Sequence, residues 1–412
     1  MQVILFCNYS SNKIRTHLQL SKLNVDNVLR RFLGLPELKY QDVAPWIEAF
    51  IKFFQTRIDY SLHVVALHVG MKKNVESFEL GGIHYHYVKS GLGMISKVLD
   101  VFFGTQKKKG FPVYRKRFDV ALKGIKPDVM MICGAENPDY AMAFINNECS
   151  RKLVILQTLM NDPKRIAMGV STDFRRQIED TVIRNAKNFA VPDPQWIGYI
   201  KSVNPNAICH PFTFPTIAPA VDLKTTKKFD FVFFAGGLAR NKGTNDSVSA
   251  LSIVAKKYPY VTLNIIGGAS EEYMNELHQQ IKDNGVERNV IMTPPFPVRN
   301  DVFKQVIKSS YAVLPGITAS LNSTVREAML MGMPTIVYET IDTIQINQEK
   351  RCVITAKMED VEDLATKMEY ALIHTAEIEA IAHNGEEYAQ SHFSQEAFNK
   401  SFDGFLKRCF NQ

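Results

Sequence analysis

A chain of 412 residues is long enough for two domains with cores of their own, and 46% hydrophobic with 22% charged residues excludes a disordered chain. No apolar run approaches the ~20 residues of a membrane span, the opening MQVILFCNYS has no basic region before its short apolar run, and six cysteines without Cys-x-x-Cys spacing argue against a zinc site or disulfide framework; a cytoplasmic protein with reduced thiols is expected. The net charge of +7 is uneven, +11 over residues 1–220 and −4 over residues 221–412, so the first half should face an acidic partner if there is one.

In chain order, residues 3–6 read as an apolar strand, followed by a polar loop containing Ser10 and Ser11. Residues 43–54 have helical spacing and residues 62–69 form a second strand. FELGGIHYHYV, residues 78–88, is a hairpin turning at Gly81-Gly82. Its His84 and His86 share one strand face, and without a third ligand in view, packed or surface histidines are favoured over a metal pair. Residues 91–103 suggest an amphipathic helix running into TQKKKGFPVYRKRF. There Lys107, Lys108, Lys109, Arg115, Lys116 and Arg117 interleave with Phe103, Phe111 and Tyr114. Cations beside exposed aromatics suit an anionic membrane, at about 1 kcal/mol per basic residue, and a solvated loop accounts for them equally well. No RNA- or DNA-binding motif accompanies them, so nucleic acid is not an expected partner.

Residues 126–133 are a buried strand followed by a loop whose Glu136 has two readings, a solvated carboxylate or a group orienting an acceptor. Residues 153–157 form the next strand, ending at Gln157. HPFTFPTIAPA, residues 210–220, has three prolines and no charge and reads as the connector, giving domains at 1–215 and 229–390, a linker at 216–228 and a last helix from 391 that crosses back to the first domain. Residues 229–234 restart the strand pattern, followed by the loop AGGLARNKG with Gly236, Gly237, Arg240 and Lys242. Two further strands end at Gly267-Gly268 and at Thr293-Pro294-Pro295-Phe296, where Phe296 either packs in the core or stacks on a ligand ring.

The stretch YAVLPGITASLNSTVREAMLMGMPTIVY, residues 311–338, reads strand, loop, helix, strand. Thr324 and Glu327 have the spacing of a capping box, and Gly332 and Pro334 close the helix. Its N-terminus, at Ser320, Asn322, Ser323 and Thr324, lies where unpaired N–H groups and the helix dipole favour a phosphate. Helices at 359–374 and 392–409 complete the chain.

Pro315-Gly316, Glu327-Ala328-Met329 and Gly332-Met333-Pro334 resemble the donor motif of retaining GT-B glycosyltransferases of family 4, and Lys242-Gly243 resembles that family's Lys-Gly. The resemblance implies an α/β fold of two doubly wound Rossmann-like domains facing across a cleft. It implies Lys242 on the donor diphosphate, Glu327 on the ribose hydroxyls and Pro295-Phe296 with Gly268 near the base. Gly236, Gly237, Ser10, Ser11 and the helix N-terminus complete the donor surroundings. Three positions depart from the family pattern. Ala319 stands for its first glutamate, Gly237 for its arginine and Gln157 for a histidine near the sugar; Arg240 is the candidate replacement cation, and Gln157 can hydrogen-bond but cannot move a proton near neutral pH.

The implied activity is metal- and cofactor-free transfer of a sugar from a UDP- or GDP-linked donor, with retention. Its acceptor would be a polyprenyl-diphosphate-linked glycan, in capsule, exopolysaccharide or lipopolysaccharide assembly at the inner face of the cytoplasmic membrane. The three departures keep open a catalytically weak nucleotide-sugar-binding or scaffold subunit, and nucleotide-sugar epimerisation as another GT-B activity.

Overall fold

Runs such as Val129–Cys133 and Phe231–Phe234 are buried at every position, the pattern of strands covered on both faces. In the computed structural model, which describes residues 1–21, 27–28, 31, 40, 42–44, 46–91, 104, 111–317 and 321–410, such runs build two parallel sheets. The chain divides into Met1–Phe214 with Ser401–Gln412, and Pro215–Lys400. The expected helix at 91–103 and the residues Lys107, Lys108, Lys109, Ala319 and Ser320 lie outside the described residues.

The first unit holds β1 (Gln2–Cys7), β2 (Ser61–His68), β3 (Val75–Leu80), β4 (Ile83–Lys89), β5 (Val129–Cys133), β6 (Lys152–Ile155), β7 (Asn188–Val191) and β8 (Ile208–Pro211). Their order is β3-β4-β2-β1-β5-β6-β7-β8, with β3 alone antiparallel, joined to β4 through the Gly81-Gly82 turn. β1 pairs with β2 on one side, Val3 opposite Leu62, and with β5 on the other, Val3 opposite Val129. The chain therefore leaves β1 and β5 in diverging directions, and the loops carrying Ser10-Ser11 and Glu136 flank that switch point at the carboxyl edge.

Two expectations in this unit are corrected. His210 and Pro211 lie in β8, and Phe212 and Phe214 belong to an aromatic cluster with Trp46, Phe50, Phe402 and Phe405, so the first half of this uncharged stretch is part of the first unit. Phe111 and Tyr114, expected as exposed aromatics beside the cations, are 6% and 5% exposed, because the helix Pro112–Ala121 turns Tyr114 and Phe118 inward. Arg117 is also held, donating to the carbonyls of Lys89 and Gly91 at 2.6 and 2.9 Å; Arg115 and Lys116 are exposed.

The helix expected over 392–409 is Gln395–Phe410, and the helix before it, Thr375–Phe393, was not read from the sequence. Between them Ser394 is extended and caps Ala397 N–H with its hydroxyl. Phe402 on that last helix meets Phe50, Phe53 and Phe212, with centroids 5.1, 5.0 and 6.3 Å away.

The second unit holds β9 (Phe229–Phe234), β10 (Leu263–Ile266), β11 (Val290–Thr293), β12 (Ser309–Val313), β13 (Thr335–Tyr338) and β14 (Ile354–Ala356). All are parallel, in the order β11-β10-β9-β12-β13-β14. Its switch point falls between β9 and β12, and the loops leaving those two strands carry the Lys242 and Pro315 motifs.

His84 and His86 meet His63 of β2. His63 Nδ1 and His86 Nε2 are 3.0 Å apart, His86 Nδ1 and Ser77 Oγ are 2.9 Å apart, and His84 stacks on His63. Among the described residues no group of three or more His, Cys, Asp or Glu side chains could hold a metal. Burial, then the neighbouring histidines, pushes His63 and His86 down to about 4. Between pH 6.5 and 4 the unfolded chain therefore binds protons that these two histidines refuse, and their contribution to stability falls as pH drops through that window. Burial pushes Glu179 up to about 7 and Asp139 up to about 6, an effect of opposite sign. The His63 and His86 effect is read as a difference: urea unfolding of a His63→Phe, His86→Phe double variant should lose less stability than wild type between pH 7 and pH 5. A second expected outcome concerns Phe402, 1% exposed: Phe402→Ala should cost about 3–5 kcal/mol by the same measurement.

Candidate functional site

The carboxyl edge of the second sheet is built from four loops that bind one another. After β9, residues Arg240–Lys242 form one turn of 3-10 helix, and Gly243 follows at φ +82 to start the helix Thr244–Ala255. Only a residue without Cβ fits here, because a Cβ on Gly243 would collide with the carbonyl of Pro315 in the loop after β12. Ile317 N–H donates to Asn241 O at 3.2 Å in the same contact. Leu238 N–H donates to Gly268 O at 2.9 Å, and Gly268 in turn packs against Pro295. The Lys242 loop and the Pro315 loop, far apart in sequence, are thus in direct contact. Gly236 and Gly237 are exposed, with nothing within 4 Å of a Cβ built on either.

The helix Ser323–Leu330 starts at Asn322, whose side chain does not cap the first-turn amides. The expected capping box is therefore a correction. Ser323 and Thr324 are the first two helical residues, so Glu327 lies too deep in the helix to reach back to the N-cap N–H. Glu327, 4% exposed, instead pairs through Oε1 with Arg299, which begins the helix Arg299–Val306 after the Pro295-Phe296 loop. Burial lowers the Arg299 pKa from its ordinary value. Asp342 accepts from Leu321 N–H at 2.6 Å and fixes the approach to the helix. Phe296 is half-buried and packs against the core.

Arg240 points elsewhere: its guanidinium meets Glu276 at 2.6 Å, with the side chain 70% exposed. Lys242 is partly buried at the end of its turn.

In the first unit Ser10 and Ser11 are buried and engaged. Arg15 donates to the Ser10 hydroxyl at 3.2 Å, and Ser11 Oγ caps the short helix Asn12–Arg15 by accepting from Ile14 N–H. Glu136 is drawn into the protein: burial raises its pKa, opposed by Arg175 and Arg165 nearby, and its Oε2 is buried with no hydrogen-bond partner. Thr158 Oγ1, one residue after Gln157 beyond β6, and Arg165 Nε are buried without a partner as well. Glu179, fully buried, holds this second loop by accepting from the N–H groups of Met160 and Asn161 at 2.8 and 3.2 Å.

Sequence reasoning missed Arg299, Glu276 and Glu179. Arg299 did leave a signal, as the one charged residue between Arg288 and Asp301.

Residues 230–374, within the second unit, match the family model described as glycosyl transferases group 1. No curated protein matches. Sucrose-phosphate synthase from Thermosynechococcus elongatus is similar over 100% of this chain and 99% of its own, with a TM-score of 0.71 at 14% identity. Anabaena HepE in complex with UDP and glucose covers 98% and 99%, with a TM-score of 0.66 at 13% identity. An E. coli structure described as trehalose-6-phosphate bound with UDP-2-fluoro glucose covers 99% and 99%, with a TM-score of 0.65 at 9% identity. The fold is that of the GT-B glycosyltransferases, two Rossmann-like parallel sheets.

The Gly243–Pro315 contact makes a direct prediction. Gly243→Ala should destabilise the second unit by about 2 kcal/mol or more, combining a left-handed backbone with a backbone collision, whereas Gly237→Ala should stay within about 0.5 kcal/mol, both by urea unfolding.

Proposed function

We propose that this protein is a GT-B glycosyltransferase moving a sugar from a UDP- or GDP-linked donor to an acceptor hydroxyl. The observation that carries the reading is the contact of the Lys242-Gly243 loop with the Pro315-Gly316 loop at the switch point of the second sheet. It brings an ammonium-bearing turn next to the loop that leads into the helix Ser323–Leu330, in the unit that matches the glycosyl transferases group 1 family. A cation and a helix N-terminus together suit a diphosphate.

The reaction breaks the bond between the anomeric carbon and the diphosphate oxygen and forms one to the acceptor oxygen. The acceptor proton passes to the departing phosphate, and the remaining negative charge is what must be stabilised. In this reading Lys242 and the first-turn amides of Ser323 and Thr324 meet that charge, with Glu327 on the ribose. Retention, through attack on the same face as the leaving group, follows from the family-4 resemblance. No metal is required in this scheme. UDP-glucose is the first donor to test, since HepE is bound to UDP and glucose.

On the acceptor side we infer a role for Glu136, whose buried Oε2 lacks a partner beside Arg165 and Arg175. The +11 charge of residues 1–220 suits an acceptor bearing a diphosphate, such as a polyprenyl-linked glycan at the inner face of a membrane. No helix among the described residues is long and apolar enough to cross a membrane. A second reading, a nucleotide-sugar-binding subunit of low turnover, is favoured by one observation: Arg240, the candidate second cation, is engaged with Glu276.

Thermal unfolding with UDP, GDP and their sugar conjugates tests the donor site. The right nucleotide at 100 times its dissociation constant should stabilise wild type by about 2.7 kcal/mol, and Lys242→Ala should lose most of that shift. No shift with any nucleotide in folded protein would sink the assignment. Release of free nucleotide that accelerates with added acceptor separates the transferase from the binding subunit.

A further inference from the structure

The Arg299–Glu327 pair ties two loops that leave strands on opposite sides of β9, one after β11 and one after β12. Glu327's side chain is 5% exposed and that of Arg299 is 37% exposed, so the carboxylate is the more deeply buried partner without being fully enclosed. A carboxylate this deeply buried, three residues beyond Thr324, needs a counter-charge to stay ionised. Arg299 supplies it through Oε1 and is itself braced over the Phe303 ring, 5.3 Å from the centroid. Oε2 makes no hydrogen bond among the described residues, yet it is not sealed from solvent as the orphaned Glu136 Oε2 is.

We propose that Arg299 is a positioning residue for nucleotide recognition: by holding Oε1 it fixes the Glu327 carboxylate with Oε2 presented to a donor hydroxyl, and so sets the preference for a ribonucleotide over a deoxyribonucleotide. This rests on the donor site proposed above. The chemistry follows from the pair. An ionised carboxylate accepts hydrogen bonds and donates none, so it rewards a ligand that brings a hydroxyl and gains nothing from one that lacks it. A carboxylate pinned at one oxygen has lost the rotamer freedom that would let it turn back to the protein. Arg299 also cancels a negative charge that would repel the diphosphate of the same ligand.

The test is binding of UDP and GDP with their 2′-deoxy and 3′-deoxy counterparts, by calorimetry, to wild type, Glu327→Gln, Arg299→Lys and Arg299→Met. Wild type should prefer the ribonucleotide over at least one deoxy form by about tenfold or more, the size of a hydrogen bond to a charged group. Arg299→Met should bring that ratio close to one, as should Glu327→Gln, with Arg299→Lys in between. If Arg299 were only a structural brace, its substitution would lower thermal stability and weaken the ribo and deoxy forms equally. That result overturns the proposal, as does a wild type indifferent to the missing hydroxyls. Should Arg299→Met fail to fold, Arg299→Lys carries the comparison. Failure of wild type to bind either nucleotide removes the donor-site reading itself, whereas binding with a ratio untouched at Arg299 removes only this inference.

Discussion

The second unit turns on a steric constraint: the loop after β12 can reach the loop after β9 only because residue 243 has no side chain. Parallel strands β9 and β12 are neighbours in the sheet, so their carboxyl ends are close whatever the loop sequences are. What the sheet cannot do is decide whether those loops touch. Gly243 lets the Pro315 carbonyl come against the start of the helix Thr244–Ala255, and the Ile317–Asn241 hydrogen bond then fixes their register. Asp342 anchors Leu321 from the far side. The turn bearing Lys242 and the start of the loop after β12, as far as Ile317, are thereby held together.

The first unit repeats the topology with different chemistry. The loop after β1 spends its hydroxyls internally: Ser10 takes Arg15 and Ser11 caps the helix Asn12–Arg15. The loops after β5 and β6 do the reverse, leaving Glu136 Oε2 and Thr158 Oγ1 buried and unused. Native proteins rarely tolerate such atoms without a purpose, since each costs about 1–3 kcal/mol. Glu179 fixes the Met160–Asn161 backbone of the loop after β6.

Strands β1 to β6 and β9 to β13 were legible because strands buried on both faces leave apolar runs and Gly and Pro mark where they stop, whereas the short β7, β8 and β14 were not read as strands. The Lys242 and Glu327 stretches were legible through their motifs. The missed features are those in which one side chain chooses between partners. Thr324 and Glu327 have the right spacing for a cap, yet the helix begins at Asn322, and an arginine 28 positions earlier in the chain offers the carboxylate a charge rather than an amide. The genuine capping box stands at Thr340 and Thr343, where a second threonine takes the place of the usual acid. Arg240 likewise lies where a phosphate-binding cation was expected but finds Glu276, on a helix that only the folded unit brings near. Periodicity carries no information about such choices, because the competing partners differ in tertiary position and not in type.

The last helix ends in the first unit, where Phe402 fills the space among Phe50, Phe53 and Phe212. On a ribosome the early segments of that unit appear first, but their aromatic cluster stays open until residue 402 has emerged, after all of the second unit. The usual vectorial order, with the amino-terminal domain finishing first, is therefore inverted. The second unit can close on its own contiguous segment while the first still waits for the phenylalanine that covers Phe50, Phe53 and Phe212.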